Sequence, residues 1–345
     1  MAFAQLTFRE SLRDLELCLR AQPHALYRLG FRSRVTRSTV AYANEHRDCR
    51  MFAALAEVLM RKARRLYAGD PVGVELVERA FALEASAIDL SLRLFLWANW
   101  TGTDAAVKLH ALLDLRGNIP AFVALTEGQR HECYLLDELP LEAGSFYVMD
   151  RGYQDCAGLH RLHRHGAFFV VRAKCNLGFY VCASRPVERS TGLRCDQTIQ
   201  LNGLKARAAY SDRLRRIRYV DQELGHSLVL LTNHFVLPAH TITELYRRRW
   251  QVELFFKWIK QNLHIRAFLG HTPNAVKTQL WSAVCTYTLV AILKKELGLS
   301  QTLHQTLQVL SVHAFEKTPI QQLFSNFDTT NSTASNDNQL IFSGL

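Results

Sequence analysis

The densest chemistry in this chain lies in one stretch, ELYRRRWQVELFFKWIKQNL, residues 244–263. At about 100° per residue, Tyr246, Arg249, Glu253 and Lys260 fall within an arc of about 60°, a stripe one side chain wide on a helix. Beside it, Leu245, Val252, Phe255, Phe256 and Ile259 form an apolar face able to anchor that helix in a core. An acid set among cations next to a buried face suits phosphate chemistry. The carboxylate can hold a divalent metal while Arg and Lys meet phosphate oxygens. The plainer alternative is a surface helix laced with i,i+4 ion pairs, each worth only a few tenths of a kcal/mol. A second acid stands in MDRGY, where the apolar run SFYVM (145–149) ends on Asp150, with Gly152 and Tyr153 behind it. No Ser-His-Asp or Cys-His arrangement accompanies these residues.

Several elements must position them. SFYVM, then a helix with Leu159 and Leu162 inward and Gly166 past its end, then the strand AFFVVR (167–172), make a parallel crossover. Asp150 sits at the carboxyl end of its first strand, where chemistry collects in open α/β sheets. Upstream, FALEAS (81–86) is a candidate first strand. VKLHALLDL (107–115) alternates and turns through Arg116-Gly117-Asn118 into IPAFVAL (119–125), a hairpin signature. Residues 175–232 are strand-rich and basic, with LRRIRYV (214–220) and SLVLLTN (227–233), and precede a long helix starting near Ile242. Further helices fill 272–325.

The N-terminal part, 1–72, reads as a helical region. Thr7 with Glu10 resembles a capping box, and Phe8, Leu12, Leu15 and Leu19 follow at helical spacing. The apolar opening MAFAQL looks like the tail of a further element, which suggests a shortened N terminus. A second helix follows Asp48, with Phe52, Leu55, Leu59 and Leu66 on one face. Arg61, Lys62, Arg64 and Arg65 crowd its end, where the helix dipole favours cations and where DNA contact is the alternative. The remaining organisation is a catalytic domain over 78–325, with a β insertion at about 173–235, and a flexible polar tail over 326–345.

Among the 345 residues, 48% are apolar and 21% charged, a globular composition. The 42 Lys+Arg against 31 Asp+Glu give a formal charge of +11, an excess that favours a polyanionic partner. The eight cysteines are scattered with no C-x-x-C pair, which argues against a zinc site or a disulfide framework. No signal-peptide pattern opens the chain, and its longest apolar runs, such as that around Trp281–Leu293, read as too short or interrupted to span a bilayer. The expectation is a soluble, reduced, cytoplasmic protein without a membrane partner. His110, His163 and His165 read as structural or exposed, since hard Mg²⁺ prefers oxygen. Arg213, Arg215, Arg216 and Arg218 alternate along a strand, for DNA contact or for solubility.

Tyr, two residues, Arg, three residues, Glu, six residues, Lys resembles the signature (YREK) of a large transposase family of bacterial insertion sequences. MDRGY resembles the family's second-acid motif, and IDLSLRLF (88–95), KLHALLDLRGNIP (108–120), LLTN (230–233) and ELFFKWIKQNL extend the likeness over residues 1–325. The resemblance implies an α/β, RNase H-like mixed sheet of five strands flanked by helices, with a β insertion before the last catalytic helix. It implies an acidic triad of Glu84, Asp150 and Glu253 that holds two Mg²⁺ ions about 3.5–4 Å apart, with Mn²⁺ as a substitute. Tyr246, Arg249 and Lys260 would contact phosphates of double-stranded DNA, at the element's terminal inverted repeats and at the target, with a homodimer assembled on that DNA. The implied activity is nicking and strand transfer at those repeats.

One departure stands out. The family's first strand carries Asp followed by Ser-Thr, whereas this chain reads LEAS and sets Glu84 at that position. The extra methylene moves the carboxylate by roughly an ångström, a displacement able to cost about 10²-fold in rate. Asp89 is a partial substitute to consider. Two other outcomes stay open, a catalytically inert DNA-binding remnant and a general RNase H-like nuclease.

Overall fold

In strand β1 (Ala80–Leu90), Ala80, Ala82, Ile88 and Leu90 enter one hydrophobic core while Phe81 and Leu83 enter another. This period of two is the mark of a strand buried on both faces. The computed structural model describes all residues except 23–25, 28–29, 92, 99–104, 221–224, 226, 264, 266, 315, 317 and 325–345, so the polar tail lies outside the described residues.

Strands β2 (Ala105–Asp114) and β3 (Ile119–Glu127) extend the sheet antiparallel from one side of β1. On the other side, β4 (Phe146–Met149) and β5 (Phe168–Arg172) run parallel to it. The order β3-β2-β1-β4-β5 is the RNase H-like arrangement. The hairpin between β2 and β3 needs two residues at positive φ, and Gly117 (+72°) and Asn118 (+56°) supply them. A Cβ at Gly117 would also lie 2.1 Å from a ring carbon of Tyr67.

The sheet does not stop at the expected five strands. β6 (Phe179–Arg185), β7 (Leu193–Leu201), β8 (Leu214–Val220) and β9 (Ser227–Thr232) form an antiparallel set, and β9 pairs with the open edge of β5, Val170 opposite Thr232. The strand-rich stretch therefore continues one nine-stranded sheet. Leu230 and Leu231 carry the two cores onward on opposite faces, which explains why the edge is covered rather than left to solvent.

Helices cover both faces. Before β1 come α1 (Ala2–Leu6), α2 (Leu12–Arg20), α3 (Arg37–His46) and α4 (Arg50–Leu66). The cap expected at Thr7 falls instead on Ser11, whose hydroxyl accepts the Asp14 amide at 3.1 Å. Thr7 closes α1, donating to the Phe3 carbonyl at 2.8 Å, because MAFAQL already folds as a helix. At the end of α4, Arg64 turns inward to Glu142 (2.8 Å) and Asp114 (3.4 Å), and Lys62 pairs with Glu296 (2.6 Å). The crossover helix α5 (Cys156–Arg164) packs on the face of Phe81 and Leu83, and α6 (Leu204–Ala209) follows β7.

The helix expected from Ile242 onward arrives in two pieces, α7 (Ala239–Arg247) and α8 (Trp250–Asn262). At the joint the backbone tightens: Arg249 N–H donates to the Tyr246 carbonyl and Val252 N–H to that of Arg249, both at 3.0 Å. These three-residue steps replace four-residue ones. Both pieces bury Ile242, Leu245, Val252, Phe255 and Ile259 against the sheet. Helices α9 (Pro273–Glu296) and α10 (Leu303–His313) complete this layer. Contrary to the sequence expectation, α9 is long and apolar enough to cross a membrane by length and composition, with 78% of its apolar window buried within the fold. That is how a core helix behaves.

Candidate active site

Glu84 shares its side of β1 with Ala80 and Ala82, the face that α8 covers. The parallel pairing of β1 with β4 ends at Leu83 opposite Met149, so one further step sets Glu84 beside Asp150. Neighbouring strands lie about 4.8 Å apart, which puts the two acids within reach of common ligands. Glu253 enters from the first turn of α8, held there by Val252 and Phe256 in the core beneath it. All three acids line one cavity of about 560 Å³, together with Arg172, Arg249, Lys257 and Lys260.

Arg249 stands at the centre. It opens α8 from the tightened joint, and its guanidinium holds Glu253 Oε1 at 2.8 Å through Nη2 and Glu84 Oε2 through Nη1. Its Nε is buried without a hydrogen-bond partner. The guanidinium carbon lies 5.6 Å from the centre of the Tyr246 ring, and the Tyr246 hydroxyl donates to Asp150 Oδ1 at 3.2 Å. Lys260 Nζ donates to the Ala87 carbonyl at 2.8 Å, tying the far end of α8 to β1. The four residues of the stripe thus reach one wall of the sheet, although the helix that carries them is jointed.

Burial pushes the Glu84 carboxyl up to about 7, and nearby Asp150 and Glu132 push the same way against the pull of Arg249 and the Ala85 amide. Burial likewise raises the Tyr246 hydroxyl to about 12, with Asp150 contributing. For Arg249 burial works against the charge, but Tyr246, Glu84, Glu253 and Asp150 outweigh it and hold the guanidinium above its ordinary value. Three acids and four cations line the cavity, and Arg249 contacts two of the acids directly.

Sequence reasoning missed Glu132, Arg172 and Lys257. Arg172 ends β5, so the rule that singled out Asp150 at a strand's carboxyl end applied to it equally. Lys257 lies one turn beyond Glu253 on the same helix. Glu132 sits in a 3₁₀ turn with no periodic signal, yet it explains Gly152, where a Cβ would lie 2.4 Å from Glu132 Oε2. Beside it Tyr153 is fully buried.

Other expectations resolve elsewhere. Asp89 is exposed, five residues or about 16 Å along β1 and on the opposite face, so it cannot compensate at position 84. Arg215 serves neither DNA nor solubility: it is buried on Asp196. His110 is buried against Thr126 at 2.8 Å, His163 meets the Tyr210 hydroxyl at 2.9 Å, and His165 meets its own helix at the Arg161 carbonyl.

The donor set is all oxygen, the type a hard divalent cation takes. Among the described residues, however, no three His, Cys, Asp or Glu stand close enough to share one ion. Arg249 fills the space between two of the candidates. The three carboxylates suit a divalent metal by the chemistry of their donors and share one cavity.

This sheet, with acids from two parallel strands and a covering helix, belongs to a known class of proteins. Residues 93–289 match the family model of the transposase DDE domain, and the chain belongs to that family, whose members generally use a divalent metal. Residues 1–32 match a domain of unknown function, DUF4372. The chain is 34% identical over 200 residues to the putative transposase y4zB of Sinorhizobium fredii, covering 57% of this chain and 56% of that protein. It is 34% identical over 196 residues to the probable transposase for insertion sequence element IS5377 of Geobacillus stearothermophilus, covering 56% and 51%. A putative transposase for insertion sequence element IS4SA of Synechocystis is 24% identical over 298 residues, 81% of this chain and 78% of that one. The alignments thus span about half the length of the first two curated relatives. Among solved structures, a piggyBac transposase in a synaptic complex with hairpin DNA shares 10% identity over 74% of this chain and 54% of that one. The TM-score of that pair is 0.41.

Proposed function

We propose that this chain is a Mg²⁺-dependent transposase that nicks DNA and transfers strands at the terminal inverted repeats of an insertion sequence. The observation that carries this reading is the convergence of Glu84, Asp150 and Glu253 on one cavity edged by Arg172, Arg249 and Lys257. In this reading the three carboxylates hold the metal, which when bound supplies activation of a water or 3′-hydroxyl and stabilisation of the departing oxygen. Arg249 and Arg172 meet phosphate oxygens as charge-assisted donors. Tyr246 keeps Asp150 oriented and presents its ring beside the guanidinium. Lys260, bonded to the Ala87 carbonyl, sets the far end of the cavity and adds positive charge to a phosphate track. Residues 1–72 and the four-stranded continuation of the sheet would extend the DNA-binding surface of a catalytic domain over 78–325, in a homodimer that pairs two element ends.

A second reading, an inert DNA-binding remnant, is favoured by one observation: Glu84, in place of the usual Asp, is joined with Glu253 on the same guanidinium. A nicking assay on supercoiled DNA bearing the element's ends decides between them. Equal Mg²⁺-dependent nicking by the natural chain and by Glu84→Asp supports the enzyme. Nicking only after Glu84→Asp supports the remnant, and no nicking by either defeats the proposed activity.

A further inference from the structure

Each acid of the candidate triad is held by one of two side chains. Arg249 takes Glu84 and Glu253, and Tyr246 takes Asp150. The two holders form a single unit, cation against ring. Arg249 is also a group that, under the proposed function, meets the phosphates of the substrate. The two sets of acceptors compete for one guanidinium charge. Nη1 and Nη2 are committed to two different carboxylates, and Nε is buried. A phosphate that takes the planar fork bidentately competes with the two glutamates for Nη1 and Nη2.

Resting on that reading of the site, we infer that Arg249 is a positioning residue that couples metal entry to nucleic-acid binding. Its guanidinium occupies the space between Glu84 and Glu253 until a backbone phosphate draws it away. With Arg249 in place, a divalent ion entering the cavity meets a positive charge shared between the two carboxylates. With Arg249 withdrawn onto phosphate, Glu84 and Glu253 lose that shared charge and stand as oxygen donors whose side chains are only 17% and 32% exposed. Burial of that kind favours a compensating cation. Each ligand therefore promotes the other, and linkage requires the same factor in both directions. The longer arm of Glu84 serves this arrangement, because it is the glutamate carboxylate that reaches Nη1.

The test uses the full chain and two probes, Mn²⁺ and a short mixed-sequence DNA duplex. Calorimetry gives the Mn²⁺ affinity with and without duplex, after subtraction of Mn²⁺ taken up by duplex alone. Fluorescence anisotropy gives duplex affinity in Mn²⁺ and in chelator. The natural chain is expected to bind Mn²⁺ about tenfold or more tightly with duplex, within the usual range of coupling, and duplex more tightly with Mn²⁺ by the same factor. Arg249→Gln is expected to bind Mn²⁺ without duplex about as well as the natural chain does with it, leaving no coupling. Arg249→Lys, with one charge but no planar fork, is expected to keep part of the coupling. Circular dichroism melts check that each variant is folded. If the natural chain binds both probes independently, or if Arg249→Gln leaves metal affinity without duplex unchanged, the inference is overturned while the nucleic-acid reading stands. If the natural chain binds neither probe, both are overturned.

Discussion

Two arginines, one on the sheet and one on a helix that covers it, differ in what they leave unsatisfied. Arg215, on β8, is 2% exposed and grips Asp196 with two bonds of 2.8 and 2.7 Å. Its remaining nitrogen donates to the carbonyls of Leu237 at 2.6 Å and His234 at 3.3 Å. Arg249 spreads over two separate glutamates, leaves Nε without a partner and borders an open cavity. A saturated pair of this kind locks structure, because any rearrangement strands a charge in low dielectric. An unsaturated one stands ready to exchange partners. The contrast separates an arginine that holds the sheet extension together from one poised for chemistry, although both read as plain cations in the sequence.

The largest effect that can break this comparison is on stability. Arg215→Leu strands Asp196 and should cost about 3–5 kcal/mol in urea unfolding. Arg249→Gln, beside an open cavity, should cost within about 1 kcal/mol. Comparable losses in the two variants would erase the distinction.

A smaller effect depends on pH. The folded pKa of Glu84, about 7, lies above its ordinary 4.5, so the fold favours the protonated form. Ionisation of Glu84 then takes stability away as pH rises from about 4.5 through about 7. Glu84→Gln should be close to neutral at pH 5. At pH 8 it should be stabilising, with a ceiling on the order of 3 kcal/mol. Thermal melts at the two pH values check this, and equal shifts at both would show that Glu84 ionises freely. The smallest expected effect is at Gly152. There an added Cβ meets the mobile end of the Glu132 side chain, so Gly152→Ala should lower stability by about 1 kcal/mol. No loss in urea unfolding would mean that Glu132 does not pack against the Asp150 turn.

Much of this arrangement was legible in advance. Alternation in VKLHALLDL and the Gly-Asn turn located β2 and β3, and the apolar run ending on Asp150 located β4. The stripe of Tyr246, Arg249, Glu253 and Lys260 was visible from helical spacing. The joint between α7 and α8 was not, because Arg248 (φ −65°, ψ −16°) and Arg249 (φ −53°, ψ −31°) keep helical dihedrals. Only the hydrogen-bond step changes there, and periodicity does not register it. Nor could alternation alone tell which arginine of LRRIRYV turns inward, since that depends on the pairing that sets Arg215 opposite Thr198 and beside Asp196. The nine-stranded sheet escaped for the same reason: strand patterns reveal faces, while partners across an edge come from tertiary packing. Thr7 misled because two capping signals lie four residues apart, and a short helix before it claimed the first.

The most direct test asks whether Asp150 and Glu253 act as one metal-dependent unit. Asp150→Asn and Glu253→Gln are made separately, in whichever of the natural chain or Glu84→Asp nicks DNA, and Mg²⁺-dependent nicking is measured on protein shown to be folded. Each substitution should abolish nicking by itself, with no further loss when the two are combined. Undiminished nicking in either single variant would contradict the account.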